Sequence, residues 1–117
     1  AAKAAGILLD AGPRTVVISG VGQGDSVGAI VATEDGCWQC MAPTIDAPAY
    51  GAGDAFAALY VSFYLALREA PGALALAVAG VRKILQTTAA AQTADLELVP
   101  ALPALDNLAR LPVNRIA

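Results

Sequence analysis

Gly51-Ala52-Gly53-Asp54 is the segment of this sequence best equipped to do chemistry. It stands between a loop holding Pro43 and Pro48 and a long apolar run of helical character. Two glycines let a backbone approach a ligand closely, and the unpaired N–H groups at a helix N-terminus, with the positive end of the helix dipole, attract an anion such as a phosphate. Asp54 adds a carboxylate beside that anion site. There it could take a proton from an attacking hydroxyl while the amides hold the charge of a transferring phosphoryl group. The plainer reading is that the glycines make a turn and Asp54 starts or caps the helix. The chain has no His, so proton transfer falls to carboxylate, Lys, Tyr or Cys, and Asp54 is the best placed of these.

The elements that must position this segment follow from periodicity and punctuation. Residues 2–10 are Ala- and Leu-rich at helical spacing, and Gly12-Pro13 stops the helix. Residues 15–19 form a short β-branched strand that ends at Ser19, with turn residues at 20–24. Residues 27–33 and 37–41 read as an antiparallel pair joined by Glu34-Asp35-Gly36, where Asp-Gly favours a tight hairpin. A loop over 42–50 leads into a helix over 51–69, which Pro71 and Gly72 break. A second helix spans 73–93, apolar around most of its circumference and therefore buried on more than one side. Residues 96–99 look like a final strand and 102–108 like a short helix, while 112–117 carry little structural signal. This order implies one parallel crossover in a mixed sheet. Four strands are fewer than a doubly wound sheet usually has, so the chain reads as half of a larger α/β fold, with no linker dividing it.

Composition agrees with an α/β domain and excludes several classes. The 117 residues are 57% hydrophobic and 15% charged, which suffices for a genuine core. A net charge of −3 with scattered Lys and Arg offers no basic stripe for nucleic acid. The apolar runs at 55–67 and 73–81 fall short of the about 18 residues a membrane span needs. The first ten residues lack the apolar run of a signal peptide, so a cytoplasmic location is expected. Cys37 and Cys40 have C-x-x-C spacing, but on a strand they point to opposite faces and no second Cys or His pair completes a zinc site. They are expected to be small buried hydrophobes.

Gly-Ala-Gly-Asp followed by Ala55-Phe56-Ala57-Ala58 resembles the signature of the ribokinase-type kinases. Gly12-Pro13 before Val16-Val17-Ile18-Ser19, Trp38 before Ala42-Pro43-Thr44-Ile45-Asp46, Leu85-Gln86-Thr87-Thr88 and Leu96-Glu97-Leu98-Val99-Pro100 look like the pyridoxal kinases within that superfamily. The resemblance covers nearly the whole chain. It implies that residues 1–117 are the C-terminal nucleotide-binding and catalytic portion of a three-layer α/β/α domain whose N-terminal half is absent. It further implies ATP as phosphate donor, Mg²⁺ bridging phosphate oxygens, pyridoxal (or pyridoxine or pyridoxamine) as acceptor, and a homodimer when complete. Asp54 would be the catalytic base, also meeting the substrate's hydroxymethyl group, with Gly51, Ala52 and Gly53 as the anion hole. Ser19 would meet the nucleotide phosphates, Ala42, Pro43, Thr44 and Ile45 would form the loop over the nucleotide, and Leu85 would line the adenine pocket. No metal ligand is assigned. Three departures stand out: Gly20 where these kinases often have another Ser or Thr, a loop over 46–50 that looks short, and the missing residues that grip the pyridine ring. A related hydroxymethylpyrimidine or sugar kinase, or an inactive nucleotide-binding fragment, are the other readings.

Overall fold

The computed structural model describes residues 1–47, 50–92 and 95–117. Its first element, α1 (Ala2–Asp10), has the predicted bounds and ends before Gly12, whose φ of +136° no side-chain-bearing residue favours. Three strands follow, β1 (Thr15–Gln23), β2 (Ser26–Thr33) and β3 (Gly36–Pro43), and a two-residue β4 (Asn114–Arg115) completes a sheet in the order β1-β2-β3-β4.

All three pairings are antiparallel, so the expected parallel crossover does not occur among the described residues. Connection length decides this, because Gln23↔Ser26 and Thr33↔Gly36 close two-residue turns and such turns can only reverse a strand. The first hairpin also corrects the predicted end of β1 at Ser19. The register steps from Ser19↔Ala29 to Val21↔Gly28, leaving Gly20 as an extra residue. Glycine at φ +68° accommodates such a bulge, so residues that read as a turn instead continue the strand.

Strand alternation sorts the side chains into two cores. On one face Val16, Ile30, Ala32 and Cys37 pack against Ala5 of α1. On the other, Ala29, Val31 and Cys40 meet Phe56 and Tyr60 of α2 (Ala52–Leu67) and Ala73, Leu74, Ala77 and Val78 of α3 (Ala70–Ala91). The result is an α/β/α sandwich. Cys37 and Cys40 are both buried free thiols on opposite faces, as the alternation requires.

The break between α2 and α3 falls at Arg68, in the left-handed region at φ 55°, and at extended Glu69, rather than at Pro71-Gly72. Pro71 lies inside the first turn of α3, where its missing N–H has no intrahelical acceptor to lose. The burial of α3 is on several sides, as its sequence implied.

Residues 96–99 do not form the expected strand. Glu97 gives its N–H to Thr88 Oγ1 at 3.0 Å, and a short α4 (Leu98–Ala101) runs into a 3₁₀ helix (Leu102–Asn107). Pro100 explains the change, having no N–H for a ladder but a backbone suited to a helix's first turn. The final strand is instead β4. The Arg115 guanidinium lies 5.6 Å from the Trp38 ring centroid and donates to Asp35 O at 2.6 Å, while Ile116 N–H donates to Cys37 O at 2.8 Å. These contacts fasten the tail to the outer edge of β3. No helix among the described residues is long and apolar enough to cross a membrane.

Candidate functional site

A cavity of about 460 Å³ opens where three segments converge: the bulge of β1, the end of β3 with the loop beyond it, and the start of α2. Gly51 makes the entry to α2 by adopting φ 85°, ψ −3° at the N-cap, a left-handed conformation natural to glycine. The first intrahelical bond of α2 runs from Ala55 N–H to Gly51 O at 3.0 Å, so the amides of Ala52, Gly53 and Asp54 precede it. No side chain caps this end. Asp54 lies exposed in the first turn, an acidic residue at the start of the helix as the plainer reading has it, and makes no side-chain cap hydrogen bond.

The structure brings most of the expected site residues together. Ser19, Pro43, Thr44, Ile45, Ala52, Gly53 and Leu85 all line the cavity. Gly51 and Asp54 flank Ala52 and Gly53 without lining it, and Ala42 does not line it either. Ala42 belongs to β3, is 7% exposed and pairs with Val27, so the strand rather than the loop claims it.

Sequence reasoning missed the wall that α3 supplies. Val78, Val81, Arg82 and Leu85 fall at i, i+3, i+4 and i+7, the spacing of one helical face, and all four line the cavity. Leu85 alone was singled out, and counting back along its face would have found the others. Phe56 of α2 and Val27, Gly28 and Ala29 of β2 complete the enclosure. Among the described residues Arg82 is the only charged side chain of the lining, and its Nη1 donates to the carbonyl of Pro43. The next residue, Thr44, gives its N–H to Asp25 O at 2.8 Å.

The walls are thus mainly apolar, with a hydroxyl at Ser19, another at Thr44 and the helix-terminal amides as polar features. That combination can hold a flat apolar ring along α3 and an anion toward α2. Burial pushes the Cys40 thiol up to about 11, an effect the nearby Arg82 charge opposes, so the thiol stays neutral beside the site. No group of three or more His, Cys, Asp or Glu that could hold a metal occurs among the described residues.

No protein-family model matches the chain. Among curated proteins it is 33% identical over 98 residues to pyridoxal kinase PdxY of Corynebacterium diphtheriae, covering 80% of this chain and 35% of that one. It is 32% identical over 123 residues to pyridoxal kinase PdxY of Rubrobacter xylanophilus, covering 100% and 42%. A Bacteroides thetaiotaomicron protein described as a phosphomethylpyrimidine kinase superposes with a TM-score of 0.88 at 20% identity, over 97% of this chain and 42% of the other. Pyridoxal kinase from Entamoeba histolytica superposes at 0.86 and 18% identity, over 98% and 42%. The fold is accordingly ribokinase-like, an α/β/α arrangement of which this chain forms a part. By sequence the chain is a homologue of the pyridoxal kinases, and it spans between a third and about two-fifths of the length of the curated relatives it matches.

Proposed function

We propose that residues 1–117 are the C-terminal nucleotide-binding and catalytic portion of a kinase that phosphorylates the 5′-hydroxymethyl group of pyridoxal, with pyridoxine and pyridoxamine as further acceptors and ATP as donor. The observation that carries this reading is the convergence of the α2 N-terminus with an apolar cavity of about 460 Å³ whose walls come from α3 and the loop after β3. Adenine would lie against Ile45 and Leu85, the phosphates would run past Ser19, and the γ-phosphoryl group would meet the amides of Gly51, Ala52 and Gly53. Asp54 would accept the hydroxymethyl proton as its oxygen attacks phosphorus in line, and ADP would leave with the electrons of the broken P–O bond. Bound Mg²⁺ would neutralise phosphate charge. A cytoplasmic setting and a homodimer of the complete protein belong to the same proposal.

Hydroxymethylpyrimidine is the competing acceptor. It is favoured by the close superposition on the Bacteroides protein described as a phosphomethylpyrimidine kinase. Parallel assays of both alcohols with the complete protein discriminate the two. The proposal predicts that Asp54→Asn lowers kcat by about 10²–10⁴ with ATP affinity changed less than threefold. Near-normal turnover in Asp54→Asn would sink the assignment of the base.

A further inference from the structure

The nucleotide reading of the cavity does not explain Arg82. It is the only charged residue of the lining among the described residues, on a helix whose other cavity-facing positions are Val78, Val81 and Leu85. Arg82 is half-buried, and its guanidinium donates to the carbonyl of Pro43. Pro43 is the last residue of β3, and its pairing with Ser26 is the last of the β2–β3 ladder. Beyond it the chain leaves the sheet and supplies Thr44, Ile45 and Ala47 to the cavity.

The segment is held at two consecutive residues from two directions. Arg82 of α3 binds the Pro43 carbonyl, and the β1–β2 turn binds the Thr44 amide through Asp25 O at 2.8 Å. Ile45 and Ala47, which line the cavity, follow directly on this pair of anchors. The distance between the α3 wall and the loop wall, which is the width of the slot between Leu85 and Ile45, is therefore set where Arg82 spans it.

We propose that Arg82 is a positioning residue that clamps the loop at 43–47 to α3 and fixes the width of the slot. This rests on the nucleotide reading above for the identity of the ligand, but not for the clamp itself. Arg82 acts through Pro43 and makes no claim on the phosphates. A Lys in its place has a donor but lacks the planar fork, so it should hold the loop less well.

The test uses the chain as it is, with Arg82→Met and Arg82→Lys. In the absence of ligand, amide exchange at Thr44 should quicken about tenfold in Arg82→Met, with Arg82→Lys in between, while Val31 in the buried core keeps its rate. Equal acceleration at Thr44 and Val31 would mean only general loosening, and no change at Thr44 would mean no clamp; either overturns the proposal. Titrations of adenosine and ATP supply the second arm. A clamp weakens both by the same factor in Arg82→Met, whereas loss of ATP affinity alone would make Arg82 a phosphate ligand and overturn the positioning role. Failure of the unaltered chain to bind adenosine would refute the nucleotide reading, and the exchange measurement would still decide the clamp.

Discussion

Gly28→Ala adds one methyl group to the floor of the cavity and should cost this chain a large part of its stability. A Cβ on Gly28 would lie 1.8 Å from the carbonyl oxygen of Cys40, 2.8 Å from its carbonyl carbon and 2.9 Å from Met41 Cα. All three are backbone atoms of β3, the strand that pairs with β2 through Gly28↔Met41, so no side-chain rotation relieves the clash. Real Cβ contacts essentially never fall below 3.0 Å, so the strands must part locally by roughly 1 Å, enough to break ladder bonds whose normal N···O distance is about 2.9 Å. Two or three flanking bonds at about 1 kcal/mol each, with buried groups left unpaired at about 1–3 kcal/mol, bring the cost to about 3–6 kcal/mol. Urea unfolding followed by Trp38 fluorescence, with the indole on the affected strand, should show the midpoint falling by roughly 2–3 M. Gly53→Ala is the control, because a Cβ there meets nothing within 4 Å and the site is helical; its midpoint should stay or rise slightly. An unchanged midpoint in Gly28→Ala would refute the close-approach argument.

Two further outcomes follow from buried polar groups on the helices. Thr88 is fully buried, donating to Ile84 O at 2.8 Å and accepting from Glu97 N–H at 3.0 Å, so Thr88→Val should cost about 1–3 kcal/mol. Exchange at the Glu97 amide should quicken in Thr88→Val and stay protected in Thr88→Ser. Burial pushes the Tyr60 hydroxyl from 10.0 up to about 12 and the Cys40 thiol from 9.0 up to about 11. Both folded values are raised, so the stability they contribute is whole below pH 9 and is lost as the pH climbs through about 11 and 12. Unfolding midpoints measured across that window should therefore hold to about pH 9 and then fall. Tyr60→Phe should remove the share of the fall between about pH 10 and 12 that Tyr60 contributes and leave the Cys40 share, which runs from about pH 9 to about 11. It should cost little at neutral pH, because this hydroxyl has no hydrogen-bond partner among the described residues.

What could be read without a structure depended on how local each signal was. The stop at Gly12-Pro13, the apolar helix after Gly51 and the opposed faces of Cys37 and Cys40 each follow from a few adjacent residues, and each stands as expected. The misread elements were decided from elsewhere in the chain. Residues 20–23 look like turn formers until the partner strand is known, and only the pairing of Val21 with Gly28 turns Gly20 into a bulge. Residues 96–99 have strand composition, yet Pro100 behind them and Thr88 on α3 draw them into the start of α4. Asn114 and Arg115 become a strand because Trp38 and Asp35 hold Arg115, a contact spanning most of the chain.

The same distinction divides the site. The end proposed to hold an anion is a local object, a helix N-terminus with two glycines and a carboxylate, and it stands out in four consecutive letters. Its apolar end is assembled from β2, the loop after β3 and one face of α3, and none of those pieces is unusual alone. Val78, Val81 and Leu85 look like any buried helix, and an arginine among them looks like the point where burial ends. Only when α3 lies beside the end of β3 does Arg82 acquire a partner in Pro43. On the proposed reading, the chemistry is therefore written in a motif, while the geometry that would distinguish one ligand from another is written in contacts between segments. On the proposed reading, variants in the motif should change rate, variants at Leu85 or Ile45 should change which ring the slot accepts, and Arg82→Met should weaken every ligand of the slot alike.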